Sequence, residues 1–333
     1  MIGSVTWTLN GVATVASGLV KRVLLASPRG YCAGVERAVE TVERALDLYG
    51  SPVYVRKQIV HNGHVVRELE ARGAVFVEDE TEVPAGATVV LSAHGVAPQV
   101  YANAAARRLT AIDATCPLVT KVHVQARRYA AEGYRIVLIG HAGHEEVVGT
   151  MGEAPEAITL VQSVEEAEAL ELPAASRVAY ITQTTLSVDE TAEIIDVLRR
   201  RFPAIRAPQR EDICYATSNR QWAVKELLGE VDLLLVIGSR NSSNSNRLVD
   251  VARTVGVEAH LIDDETEIEE RWLEGAETVG VTSGASAPER LVERVCRWFR
   301  ERGVTEIAPF ASVFEDVVFR LPVELRRAET PAA

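Results

Sequence analysis

One pattern recurs along this chain: a short apolar run, then a polar loop, then a segment with apolar residues at helical spacing. The runs begin near Val23, Val89, Ile136, Val178, Leu233 and Val279, and the loops that follow span 27–34, 92–98, 140–146, 182–187, 238–246 and 282–288. Such alternation predicts an α/β fold with parallel sheets, because parallel neighbours need a crossover long enough to hold a helix. In sheets of this kind ligands gather beyond the carboxyl ends of the strands, where all six loops are expected. The six units pair into thirds. This predicts three pseudo-repeated α/β subdomains over 21–113, 114–211 and 212–322, with an N-terminal extension at 1–20 and a C-terminal tail at 323–333. A single long doubly wound sheet would alternate in a similar way.

Cysteine placement favours the threefold arrangement, since each third carries one cysteine in a short polar segment: Cys32, Cys116 and Cys214. A lone cysteine often behaves as a small buried hydrophobe, and Cys296, within the amphipathic stretch 291–299, is assigned that role. The other three sit beside Gly, Pro or Asp at junctions between predicted elements. Their separations of 84 and 98 residues are too long for a local zinc finger or ferredoxin run, so the fold must gather them. Three thiolates leave one metal position open, which points to chemistry at an iron–sulfur cluster. Disulfides are disfavoured. The first twenty residues carry no charge and lack the basic segment of a secretory signal, so a cytoplasmic location with reduced thiols is expected.

The loops carry a second line of argument. Asn241-Ser-Ser-Asn-Ser-Asn246 lies between a strong strand and a helix start, where hydroxyls, amides and free backbone N–H groups make an anion cradle; Ser242, Ser243 and Asn244 are its centre. Ser286 fits either helix capping or phosphate contact, whereas Ser187 reads as a cap alone. His61, His94, His141 and His144 follow apolar runs, as donors to an anion would. His64, His123 and His260 read as structural, and a His/Cys zinc site stays open from residue types alone. Glu146 and Thr184 are candidates for proton handling, a buried carboxyl being tunable toward neutral pH. The plainer readings are an exposed loop glutamate and a β-branched strand end. A net charge of −12 excludes a general nucleic-acid surface, and no apolar run reaches membrane-spanning length.

Nine segments in register, from Pro-Arg-Gly-Tyr-Cys32-Ala-Gly through Asp113-Ala-Thr-Cys116-Pro and Gly140-His-Ala-Gly-His-Glu-Glu146 to Asp212-Ile-Cys214-Tyr and Ser283-Gly-Ala-Ser286-Ala-Pro, resemble the 4-hydroxy-3-methylbut-2-enyl diphosphate reductase family. The resemblance covers about 22–322. It implies a trefoil of three α/β subdomains around a central 4Fe-4S cluster held by Cys32, Cys116 and Cys214, with one iron free of protein. It implies an allylic diphosphate substrate contacted by His61, His94, His144, Ser242, Ser243, Asn244 and Ser286. Glu146, with Thr184 as its hydroxyl partner, is the implied proton donor for a reductive dehydroxylation, the last step of the non-mevalonate isoprenoid pathway. A ferredoxin or flavodoxin is implied as electron donor, with a monomeric or homodimeric enzyme. Glu145 departs from the family, which commonly has proline there. A zinc-dependent hydrolase and a non-catalytic iron–sulfur sensor are the rival classes.

Overall fold

In the computed structural model, residues 20–173, 175–311 and 313–328 are described. The expected extension therefore lies, except for Val20, outside the described residues. The apolar runs become strands: Leu233–Ile237, reading Leu-Leu-Leu-Val-Ile, and Val178–Thr182 are buried along their whole length, as strands covered on both faces must be. In chain order the strands are β1 (Arg22–Ser27), β2 (Val53–Arg56), β3 (Ala74–Val77), β4 (Thr88–Leu91), β5 (Thr110–Asp113) and β6 (Arg135–Ile139). They continue with β7 (Ile158–Val161), β8 (Val178–Thr182), β9 (Leu233–Ile237), β10 (Glu258–Ile262), β11 (Thr278–Ser283) and β12 (Glu306–Ala311).

These strands form three separate sheets, with orders β10-β9-β11-β1-β12, β3-β2-β4-β5 and β7-β6-β8. Every strand pair is parallel. The architecture is thus the α/β arrangement of three units expected from the alternation. All six expected runs are strands, but β3, β5, β7, β10 and β12 are not evident in the sequence, and β2, which reads as a strand over 53–60, stops at Arg56 because Lys57 turns the chain at φ 58.

One strand departs from the pairing into thirds. β1 was expected beside β4, yet its residues pair with β11 on one side and β12 on the other, Arg22 lying opposite both Thr278 and Glu306. Its side chains explain why. Val23 packs in the core under the helix Glu289–Glu301, while Leu24 and Ala26 pack in the core under Tyr215–Leu227 and Ser243–Thr254, so β1 needs cover on both faces. The next helix, Ala33–Tyr49, crosses to the second sheet, where it buries Ala38, Val42, Ala45 and Leu46, spaced 4, 3 and 1 residues apart, against Val53, Val55, Val90 and Ile112. Helix and strand of the first unit therefore serve different sheets.

The tail also departs from expectation. The sequence reads as disordered there, but Val323–Ala328 is a helix whose Leu325 is buried in the same core as Ala33–Tyr49. The remainder of the tail lies outside the described residues. Among the described residues no helix is long and apolar enough to cross a membrane.

Candidate active site

Cys32 follows β1, Cys116 follows β5 and Cys214 precedes the helix Tyr215–Leu227. Each is the N-cap of its helix, heading Ala33–Tyr49, Pro117–Ala131 and Tyr215–Leu227 respectively. Each backbone amide is tied to a different loop: Cys32 N–H donates to Ala285 O (3.2 Å), Cys116 N–H to Ala93 O (3.0 Å) and Cys214 N–H to Thr184 O (3.1 Å). Those carbonyls belong to Thr184 itself and to the residues beside Ser286 and His94. The cysteines and the polar candidates are thus held together by the main chain.

All twelve candidates, Cys32, Cys116, Cys214, His61, His94, His144, Glu146, Thr184, Ser242, Ser243, Asn244 and Ser286, line one cavity. Its empty space, mouth included, is about 680 Å³. His144 caps Glu145–Gly152 and Ser242 caps Ser243–Thr254, so five lining residues are helix N-caps. Helix N-termini carry unsatisfied N–H groups and partial positive charge, and their convergence suits thiolates and phosphates alike.

Three imidazoles form a cluster on one wall. His61 and His94 stack with centroids 4.1 Å apart, and His144 meets them edge-on at 5.4 and 5.8 Å. Burial lowers the pKa of His61 and of His144 to about 4, and burial together with its two neighbours drives His94 well below the ordinary histidine value. The rings are therefore neutral at pH 7. His144 Nδ1 accepts from Glu146 N–H (3.2 Å), which leaves Nε2 as its donor. Asn241 Nδ2 lies 3.3 Å from His61 Nδ1 and donates to Gln58 (2.8 Å), joining the serine-rich loop to the histidine loop. Among the described residues His94 Nδ1 is buried with no partner, the kind of polar atom a ligand or water completes.

Glu146 is fully enclosed. Its carboxylate accepts from Thr184 N–H (2.6 Å) and from the Thr184 hydroxyl (2.9 Å), reaching from the first turn of Glu145–Gly152 to the loop after β8. Burial raises its pKa to about 7, and the two Thr184 hydrogen bonds oppose that rise without cancelling it.

The thiols fit a cluster. Burial, with the neighbouring Cys32, pushes Cys116 up to about 12 and Cys214 up to about 11, so neither ionises alone; a bound metal reverses this, since a coordinating thiol is deprotonated. A Cβ on Gly34 would stand 2.7 Å from Cys116 Sγ and 3.8 Å from Cys32 Sγ, so glycine keeps open the space these sulfurs flank. Among the described residues no three Cys, His, Asp or Glu side chains converge on one metal ion. That arrangement offers no ready ligand set for a single zinc.

Other expected placements are mixed. His141, in the same loop as His144, does not line the cavity; its N–H donates to Gln183. His64 faces Asp264, His123 bonds Glu153, and His260 stacks on Trp272, all structural settings. Ser187 caps Val188–Arg201 and Cys296 is in the core. Glu145 sits 3.9 Å from Arg56 and 3.6 Å from Lys57, bridging to the sheet of β2. Sequence reasoning missed Thr185 and Thr217, which also line the cavity. Thr217 had a signal: it stands three residues after an N-capping cysteine, the spacing at which a cap meets its partner.

The sequence profile of the LytB protein family matches residues 23–300. The chain is similar to the 4-hydroxy-3-methylbut-2-enyl diphosphate reductase of Acidothermus cellulolyticus, 64% identical over 92% of this chain and 91% of that protein. It is 57% identical to the enzyme of that name from Nocardia farcinica, over 95% of this chain and 94% of the relative. Among solved structures it is similar to the E-1-hydroxy-2-methyl-but-2-enyl-4-diphosphate reductase from Plasmodium falciparum, with a TM-score of 0.90 at 39% identity, over 92% of this chain and 97% of the other.

Proposed function

Because the chain belongs to the LytB family and is thereby a 4-hydroxy-3-methylbut-2-enyl diphosphate reductase of the non-mevalonate isoprenoid route, we propose how its own residues carry that reduction. Cys32, Cys116 and Cys214 hold a 4Fe-4S cluster. When bound, that cluster supplies electrons one at a time and an iron without a protein ligand, a Lewis acid for the substrate hydroxyl. The reaction consumes two electrons and two protons: the allylic C–O bond breaks, a C–H bond forms, and the hydroxyl leaves as water. The products are isopentenyl and dimethylallyl diphosphate.

The diphosphate binds among His61, His94, His144, Ser242, Ser243, Asn244 and Ser286. Neutral imidazoles respond to its charge by taking up protons, which turns the rings into charge-assisted donors. Val35, Val60, Leu118 and Val119 add an apolar lining for the five-carbon chain. Glu146 holds a proton at neutral pH and, with the Thr184 hydroxyl, delivers it to the departing oxygen. Burial keeps bulk water from competing for that proton.

The observation that supports this reading most is the shared cavity of three cysteines, three histidines, a buried carboxyl and the serine-rich loop. All the named residues belong to one chain, which a monomer or a homodimer with one site per chain accommodates, and the cytoplasm suits the reduced thiols. The electrons come from a separate low-potential carrier of the ferredoxin or flavodoxin kind.

The test is oxygen-free purification with iron and sulfide analysis, followed by turnover with the allylic diphosphate and a reduced low-potential donor. About four iron and four sulfide per chain, with both lost along with turnover in Cys116→Ser, is the expected result. Zinc without sulfide, or a full cluster without turnover, overturns the assignment of residues.

A further inference from the structure

Among the described residues Cys32 heads its helix without a side-chain cap bond and the Cys116 sulfur faces only the backbone N–H groups of Leu118 and Val119, whereas the Cys214 sulfur meets both an N–H and a hydroxyl of its own helix. Thr217 N–H lies 3.4 Å from Cys214 Sγ, and Thr217 Oγ1 lies 3.2 Å from it. The orientation of the hydroxyl is set from the next residue out and from the charge state of the sulfur. Asn244 Oδ1 accepts from Ala285 N–H at 2.8 Å, which fixes the amide so that its NH2 group faces Thr217. Asn244 Nδ2 donates to Thr217 Oγ1 at 3.3 Å, and an amide nitrogen can only donate. The Thr217 oxygen is thus an acceptor on that side, and once Cys214 is a ligating thiolate with no proton to give, the hydroxyl hydrogen is the donor to its sulfur. Thr217 is 1% exposed and Asn244 5%, so bulk water has little access to replace either contact.

Resting on the cluster assignment above, we infer that Thr217 is a positioning residue that sets the reduction potential of the cluster through the Cys214 sulfur, its hydroxyl aimed by Asn244 from the diphosphate-binding loop. Hydrogen bonds to a ligating sulfur stabilise the more electron-rich state, because added negative charge is spread onto the thiolates. Two donors from one residue converge on this sulfur, and the side-chain one is set by the loop that receives substrate. Loss of the hydroxyl therefore lowers the potential while leaving the ligand set intact. The Ala285, Asn244, Thr217, Cys214 chain also joins the loop after β11 to the first turns of Ser243–Thr254 and Tyr215–Leu227, so the substrate site and the cluster ligand are not independent.

The experiment compares Thr217→Val, which keeps the shape and the N–H but lacks the hydroxyl, with Thr217→Ser, which keeps the hydroxyl. Anaerobically purified holoenzymes are titrated with mediators and the reduced cluster is followed by electron paramagnetic resonance. At fixed solution potential the reduced-to-oxidised ratio should fall about tenfold in Thr217→Val, about 59 mV for a one-electron couple, while Thr217→Ser stays at the wild-type value. An unchanged potential in a fully loaded Thr217→Val, or a fall shared by Thr217→Ser, overturns the inference. Should Thr217→Val fail to load iron, Thr217→Ala against Thr217→Ser decides on the same criteria. A wild-type chain that takes up no iron and sulfide instead overturns the cluster assignment, and a loaded wild type with unmoved variants overturns only the role of Thr217.

Discussion

Glu146 shows how two opposing effects at one residue give a usable acid. Complete burial favours the protonated form, two donors from Thr184 favour the charged one, and burial prevails, leaving a pKa of about 7. As the acid is competent only while protonated, kcat/KM should fall above pH 7, tenfold per unit, in a profile taken with saturating electron donor. Glu146→Gln should lower turnover by about 10²–10⁴-fold and remove that limb while iron content stays normal. The histidines have the opposite sign. Their folded pKa values lie below the ordinary one, so the unfolded chain binds more protons between pH 6.5 and 4, and they cost stability as pH falls through that window. Inorganic diphosphate should then bind at pH 6.5 with proton uptake, measured as a heat that changes with the ionisation enthalpy of the buffer. A buffer-independent heat would show that the imidazoles stay neutral. The contacts of Thr217 with Asn244 and of Asn241 with His61 were not legible at this scale, because they cross gaps of 27 and 180 residues that spacing along the chain does not encode.

At the scale of elements, the first turn of Ala33–Tyr49 joins helix geometry to the metal site. Gly34 lies within that turn, where alanine is the better helix former by about 1 kcal/mol. Yet its Cβ would meet Cys116 Sγ at 2.7 Å. Gly34→Ala should therefore leave helical circular dichroism unchanged and reduce iron and sulfide per chain by more than half; normal loading would mean the sulfurs can move apart. Strand identity was readable from apolar runs such as Leu233–Ile237, but strand neighbours were not. β1 reads as a fully buried strand in any sheet, and only the placement of β11 and β12 decides which one receives it. The tail helix Val323–Ala328 escaped notice for a related reason: six residues with one buried leucine carry too little periodicity to register.

For the whole molecule, Arg220 is the clearest joint. Its side chain has no exposed surface, and it donates to Ala216 O in its own helix, to Gly30 O in the Cys32 loop and to Glu315 in the segment leading to the tail. Arg220→Met leaves Gly30 O without its donor and Glu315 with Asn219 as its remaining partner, and should cost about 1–3 kcal/mol in denaturant unfolding. A smaller loss would mean water enters to replace it. The threefold plan was legible from where the cysteines fall. The cross-links between thirds were not, since they run through carbonyls such as Ala93 O and Ala285 O that any residue could supply. A last consequence comes from the five helix starts around the cavity. Among the described residues no lysine or arginine lines it, and the chain as a whole carries twelve surplus negative charges, so attraction is short-ranged while the approach is repulsive. Mobile ions screen the outer repulsion over about 8 Å at physiological strength and do not enter the buried array of peptide dipoles. Added salt should hence speed capture of a diphosphate, the reverse of the response of a lysine-clad phosphate site.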